Sequence, residues 1–172
     1  MTKIAKKQRV PGANRLAELV AMGEKIFPIQ DAATIWKITN RQTLRMLLAR
    51  YAKRGILHRI WRGLYATVNP KDINPLLLGI KALGRYAYIS CETVLFVAGL
   101  INQRPTEITM VSNVSRRFSL LGQRYRSRKM HDGALYNTTG IVLQGGVRTA
   151  TPGRAKQDMN YFNPKKYYDA HK

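Results

Sequence analysis

The sequence predicts an α+β protein: helices and then a hairpin in the first 70 residues, followed by a small α/β domain. Three observations lead there. Short amphipathic helical patterns in the first half give way at Gly55 to two strand-like runs. A short linker, Val68-Asn69-Pro70-Lys71-Asp72, then interrupts the pattern. Beyond it, helical and strand patterns alternate. The expected organisation is a basic arm over 1–12, a first domain over 13–70 and a second over 71–172.

Residues 1–12 lack periodicity and carry Lys3, Lys6, Lys7 and Arg9. Such a segment is either a solvated tail or an arm that tracks phosphates. A first helix is expected from Asn14 to Met22, with Leu16, Leu19 and Val20 at helical spacing. Ile26-Phe27-Pro28-Ile29 is expected to be extended, because a proline disfavours helix at the preceding residue. A second helix follows over Asp31–Lys37 with Ala32, Ile35 and Trp36 as its apolar side. Thr39-Asn40 breaks it, and Asn40 suits the N-cap of a third helix.

That third helix, Arg41–Lys53, places Leu44, Leu47, Leu48 and Tyr51 on one stripe. At ~100° per residue the opposite face is centred on Gln42, Met46, Ala49 and Lys53, flanked by Arg45 and Arg50. Gln and Arg can reach base edges, a small Ala permits close approach of the backbone, and flanking cations suit phosphates. The ordinary alternative is a solvated helix face. Base-reading candidates are therefore Arg41, Gln42, Thr43, Arg45, Met46 and Ala49, with Thr39, Asn40, Arg50 and Lys53 toward the DNA backbone.

Gly55 suits the left-handed close of that helix. Ile56–Ile60 and Leu64–Val68 then form two expected strands around a tight turn, Trp61-Arg62-Gly63. Helices, a basic third helix and an immediate hairpin carrying Arg59 and Arg62 are the element order of a winged helix-turn-helix. The wing would set Arg59 and Arg62 on the sugar-phosphate backbone, with Trp61 as a packing residue.

Charge points the same way. The chain carries 30 Lys and Arg against 9 Asp and Glu, a formal net of +21. So large an excess suits a polyanion, whose condensed counterions are released on neutralisation. Residues 1–70 hold 14 basic against 3 acidic side chains and residues 71–172 hold 16 against 6, so both halves are basic. No apolar run reaches the ~20 residues of a bilayer span, and no concentrated basic face beside a Trp/Leu face suggests a membrane surface. The single cysteine, Cys91, excludes an internal disulfide framework and fits a reducing compartment. A cytoplasmic location is expected.

In the second half, Asn74 and Pro75 open a helix whose buried side is expected to be Leu76, Leu77, Ile80 and Leu83. Tyr86–Ile89 is strand-like, and Ser90 is expected to cap a helix running to Ala98 and stopping at Gly99. Glu107–Ser112 and Arg124–Arg128 are expected strands. Alternation sets Arg124, Arg126 and Arg128 on one strand face. With Arg116, Arg117 and Lys129 they make a second candidate basic surface, whose ligand is DNA backbone, RNA or an acidic protein patch.

Gly55-Ile56-Leu57, Arg62-Gly63-Leu64-Tyr65-Ala66, the run Tyr88-Ile89-Ser90-Cys91-Glu92-Thr93-Val94-Leu95 with Gly99-Leu100-Ile101, and Ala150-Thr151-Pro152-Gly153-Arg154-Ala155-Lys156-Gln157-Asp158 occur in this order. The chain, over roughly residues 25 to 169, resembles the AbiEi-type antitoxin and transcriptional regulator family of type IV toxin–antitoxin systems. The resemblance implies an N-terminal winged helix that represses its own operon and a C-terminal domain with antitoxic activity. The implied partners are double-stranded operator DNA and a nucleotidyltransferase-like toxin or its RNA substrate. Gly153 stands where that family has an acidic residue, and Lys156-Gln157 stand at apolar positions. The alternatives are an RNA- or protein-binding module with the winged helix as scaffold, and a nonspecific DNA binder.

No enzyme is expected. His58, His131 and His171 are scattered without metal-ligand spacing, no carboxylate pair suits acid–base chemistry, and no phosphate-binding glycine loop is followed by Lys-Ser/Thr. Cys91 lacks a neighbouring base and is expected to pack rather than react. His131-Asp132-Gly133 is expected to turn the chain. No cofactor or metal is expected, and the sequence leaves the oligomeric state open.

Overall fold

A short 3-10 turn at Pro70–Asp72 stands where the chain passes between two units, Met1–Asn69 and Pro70–Lys172. The computed structural model describes residues 12–21, 23–84 and 86–164. It is a mixed α+β structure with two sheets. The basic arm, with Lys3, Lys6, Lys7 and Arg9, lies outside the described residues.

The first unit runs α1 (Gly12–Ala21), β1 (Ile26–Pro28), α2 (Ile29–Ile35), α3 (Arg41–Lys53), β2 (His58–Trp61) and β3 (Leu64–Ala66). α1 begins two residues before the expected Asn14 and ends before Met22, where the Gly23 N–H closes onto the Val20 carbonyl at 2.9 Å. α2 starts at Ile29 rather than Asp31 because Pro28, extended at ψ 155°, takes the N-cap position. It ends at Ile35 rather than Lys37 because Lys37 itself turns left-handed, at φ 50°. The Lys37 N–H then bonds the Thr34 carbonyl and the Ile38 N–H bonds that of Ala33, the double closure of a Schellman motif.

The two-stranded hairpin expected around Trp61-Arg62-Gly63 has a third member. β1 pairs antiparallel with β3 from Ile26↔Ala66 to Pro28↔Leu64, giving the order β1-β3-β2. Leu19, Phe27, Trp36, Leu44, Leu48 and Leu57 fill the core between helices and sheet. Each fully buried large side chain there contributes about 1.5–3 kcal/mol. The Trp36 indole N–H fastens α2 to α1 through the Arg15 carbonyl at 2.9 Å.

The second unit contains α4 (Pro75–Leu83), β4 (Tyr88–Ile89), α5 (Glu92–Val97), β5 (Ile108–Ser112), β6 (Arg116–Leu120), β7 (Gln123–Lys129), α6 (Asp132–Leu135), β8 (Ile141–Gln144), β9 (Val147–Ala150) and α7 (Pro152–Phe162). Its sheet has the order β6-β7-β5-β4-β9-β8. Two neighbour pairs, β4–β9 and β5–β7, are parallel. α4 covers one face, where the Tyr125 hydroxyl donates to the Pro75 carbonyl at 3.0 Å. α5 and α7 pack together on the other.

Two expectations are corrected here. The buried residues of α4 are Leu78, Gly79 and Ile80, with Leu76, Leu77 and Leu83 only half-buried. The helix has rotated so that Gly79 meets the sheet: a Cβ there would sit 2.8 Å from the Tyr125 ring and 2.9 Å from Met110 Sδ. Ser90 is not the cap of α5. Cys91 takes that position with no side-chain cap bond, because Ser90 Oγ is drawn to Asp158 Oδ2 at 2.6 Å. Asp132-Gly133 opens the one-turn α6, capped by His131 Nδ1. Among the described residues no helix is long and apolar enough to cross a membrane.

Candidate nucleic-acid interface

α3 is fixed at both ends by its own sequence. Asn40 Oδ1 accepts from the Gln42 N–H at 2.9 Å and the Thr43 N–H at 3.0 Å, satisfying two donors of the first turn. At the other end Arg54 is the C-cap, and Gly55 follows at φ 70°. The Gly55 N–H bonds the Ala52 carbonyl and the Ile56 N–H bonds that of Tyr51. This second Schellman closure turns the chain from helix into β2.

Inside those limits the helix divides by face. Leu44, Leu48 and Tyr51 are buried and Leu47 is half-buried. Arg41, Gln42, Thr43, Arg45, Met46, Ala49, Arg50 and Lys53 are all exposed. Met46 keeps 58% of its surface in solvent, an unusual exposure for a large apolar side chain flanked by cations. α3 has no acidic residue, and Arg50 and Lys53 lie in its last turn, where cations favour the helix dipole. None of the basic side chains of α3 forms an ion pair among the described residues.

The hairpin is tighter than expected. Trp61 pairs with Leu64, so Trp61 belongs to β2 and the turn is Arg62-Gly63 alone. A register shift between Arg59 and Trp61 kinks β2. Arg59 and Arg62 are exposed and Trp61 is half-buried. Thr39 and Asn40 are exposed, with the Asn40 oxygen already committed to the cap.

The second basic surface is broken up. In β7, Arg124, Arg126 and Arg128 do share one face, but Arg128 is buried. It forms an ion pair with Glu92 and lies 3.5 Å from Met159 Sδ, with its guanidinium over the Phe162 ring. A guanidinium enclosed in this way does not meet a polyanion. Register puts Arg117 opposite Arg126 on the same face, whereas Arg116 and Lys129 project from the other. The remaining cluster on the α5 side of the sheet is Arg117, Arg124 and Arg126.

Beside it lies a cleft of about 380 Å³ in the second unit. Arg126 borders it from β7, Arg104 and Thr106 from the loop before β5, and Glu92 and Glu107 complete its charged lining. Sequence reasoning missed Arg104, an isolated cation in an irregular loop with no periodicity to mark it.

The second unit also holds a buried polar network. Arg154 Nε donates to Asp158 Oδ1 at 2.8 Å. Its Nη1 donates to the carbonyls of Asn137 and Thr139, and its Nη2 to the Tyr88 hydroxyl and the Ala134 carbonyl. All five guanidinium N–H groups thus have oxygen acceptors. Burial opposes the Arg154 charge, but the hydrogen bond with Asp158 and the proximity of Tyr88 outweigh it and raise its pKa. Burial, then Asp158, pushes the Tyr88 phenol up. By contrast, the Arg128 pair leaves Arg128 Nε and Glu92 Oε2 buried without a hydrogen-bond partner among the described residues.

Cys91 sits at φ 56°, ψ −135°, between β4 and α5, a strained conformation for a residue with a Cβ. Thr93 and Thr109 hold the segment by exchanging N–H to Oγ1 bonds at 2.9 and 2.7 Å. The thiol is fully buried, and burial pushes its pKa up to about 12, so it is a packing group at neutral pH. Among the described residues no group of three or more His, Cys, Asp or Glu side chains could hold a metal ion. The chain matches no protein-family model and no curated protein sequence.

Proposed function

We propose that this chain is a sequence-specific DNA-binding transcriptional repressor whose first unit acts as a winged helix-turn-helix. The observation that carries the reading is the outward face of α3: Gln42, Arg45, Met46 and Ala49 are presented together, with no acidic residue on the helix. The Gln42 amide can both donate to and accept from a base edge and the Arg45 guanidinium can donate to one, Ala49 permits close approach, and Met46 offers an apolar contact. Arg59 and Arg62 on the hairpin supply backbone contacts that hold register.

Footprinting on the DNA upstream of the chain's own gene tests this. The Gln42→Ala/Arg45→Ala double variant should lose roughly 5- to 150-fold in specific affinity per base contact removed, at about 1–3 kcal/mol each. Its affinity for random duplex should fall much less. Arg59→Ala and Arg62→Ala should each lower the salt dependence of binding by about one phosphate contact. Equal affinity for upstream and random DNA, or equal losses on both, refutes a reading helix.

The wider reading is an autoregulating, cytoplasmic antitoxin of the AbiEi-like type IV class, supported by the ordered motifs and by the basic second unit. It calls for a nucleotidyltransferase-like product from the neighbouring reading frame, whose toxicity co-expression of this chain should relieve. A second reading, that the second unit engages RNA or a protein directly, is favoured by Arg124 and Arg126 on one sheet face. Under that reading Arg124→Gln/Arg126→Gln abolishes neutralisation while upstream DNA is still bound.

A further inference from the structure

We infer that the cleft of the second unit binds a mononucleotide, held by its phosphomonoester between Arg104 and Arg126. Charge accounting within the cleft carries this. Two carboxylates and two guanidinium groups line it, so it looks neutral. Yet each carboxylate is already matched by an arginine outside the lining: Glu107 by Arg117 at 3.5 Å, and Glu92 by the buried Arg128. Arg104 and Arg126 are left with no ion pair or side-chain hydrogen bond among the described residues. The cleft therefore offers two uncompensated positive charges, the complement of a phosphate dianion.

The two cations differ in setting. Arg126 is half-buried on β7, which is hydrogen-bonded to β5 on one side and β6 on the other, so its stem is held in a rigid sheet. Arg104 is exposed on the loop before β5. Thr106 and Gln103 add neutral hydrogen-bonding groups, while Ile101 and Pro105 give an apolar wall. A lone phosphate would fill only a fraction of about 380 Å³. The volume falls in the range of about 300–1,000 Å³ typical of small-molecule sites. A charged end beside an apolar wall, at that size, fits a phosphate joined to one sugar and one base. Duplex DNA laid across the surface could not enter it.

The site is built from residues of the second unit alone and is tested without DNA. Calorimetric titration of the full chain would use AMP, adenosine, inorganic phosphate and succinate. AMP should bind at least tenfold more tightly than adenosine, phosphate or succinate. Arg126→Gln and Arg104→Gln should each weaken AMP binding about tenfold or more, the loss of one charge-assisted contact. Arg104 is exposed, so Arg104→Gln should melt at the parental temperature, which separates lost binding from lost folding. A 5′-phosphorylated dinucleotide distinguishes the source: tighter binding than AMP assigns the end of a strand, and weaker binding a free nucleotide. AMP binding no tighter than adenosine, succinate binding as well as AMP, or indifference to both substitutions overturns the inference.

Discussion

Removing the Asp158 carboxylate should unravel the second unit out of proportion to the size of the side chain. Asp158 is 2% exposed and accepts from Arg154 Nε at 2.8 Å and Ser90 Oγ at 2.6 Å. In Asp158→Ala the four remaining acceptors of Arg154 are neutral, so a buried guanidinium is left without a counter-charge. Breaking a buried pair from one side costs about 3–5 kcal/mol. The bond to Ser90 ties α7 to the end of β4, and the Arg154 bonds to Asn137 and Thr139 tie down the loop before β8. For a unit of this size the loss corresponds to a fall in Tm of roughly 12 °C or more. Arg154→Met leaves the carboxylate buried instead and should cost a similar amount. Because each single change strands the other's charge, Arg154→Met/Asp158→Ala should cost clearly less than the sum of the singles. Urea titrations followed by circular dichroism measure all three, and hydrogen exchange at residues 137–140 should accelerate in each. A loss under about 1 kcal/mol for Asp158→Ala, or strict additivity, would refute the claim that this pair holds the unit together.

Other substitutions probe the backbone. Gly79→Ala gains about 1 kcal/mol in helix propensity. It also drives a methyl to 2.8 Å from a Tyr125 ring that is pinned by Pro75 and stacked on Phe118. Overpacking of this kind costs about 1–3 kcal/mol, so a net loss is expected, and a stabilised variant would overturn the close contact. Lys37→Gly relieves a left-handed residue and should stabilise the first unit by up to about 1 kcal/mol, whereas Lys37→Val should destabilise it; the reverse order in thermal melts would exclude the turn described. Burial raises the pKa of Cys91 from 9.0 and of Tyr125 from 10.0, both to about 12. The protonated fold is thus favoured: this stability is complete below pH 9 and lost as pH rises through 12. Urea midpoints that stay flat across that window would contradict it. Cys91 should also react with a thiol reagent only once the protein is denatured, and rapid native labelling would show it accessible.

Much of the first unit was legible locally. Asn40, the 3.6-residue stripe Leu44–Leu48–Tyr51 and Gly55 mark both ends and the buried side of α3 within 16 residues of chain. The outward face with Gln42, Arg45, Met46 and Ala49 follows once that side is known. The bounds of α2 were less legible, because Pro28 acts here as a cap and Lys37 adopts a conformation that sequence assigns to glycine or asparagine. In the second unit, alternation placed Arg124, Arg126 and Arg128 on one face correctly, yet it could not tell which would be covered. Glu92 lies 36 residues before Arg128, and only the packing of α5 and α7 on that face makes Arg128 a core cation.

The sequence by itself determined the α+β composition, the limits of α3 and the sign of the charge, because caps, periodicity and composition act within a few residues. Only the tertiary structure decided which polar groups are spent internally and which remain free for a partner. Ser90 bonds Asp158 across 68 residues rather than capping its own helix, and Tyr88 and Arg154 meet across 66. Arg104 and Arg126 become a pair only where a loop meets the sheet. Such contacts depend on strand order and on which face each helix covers, and no local pattern encodes either.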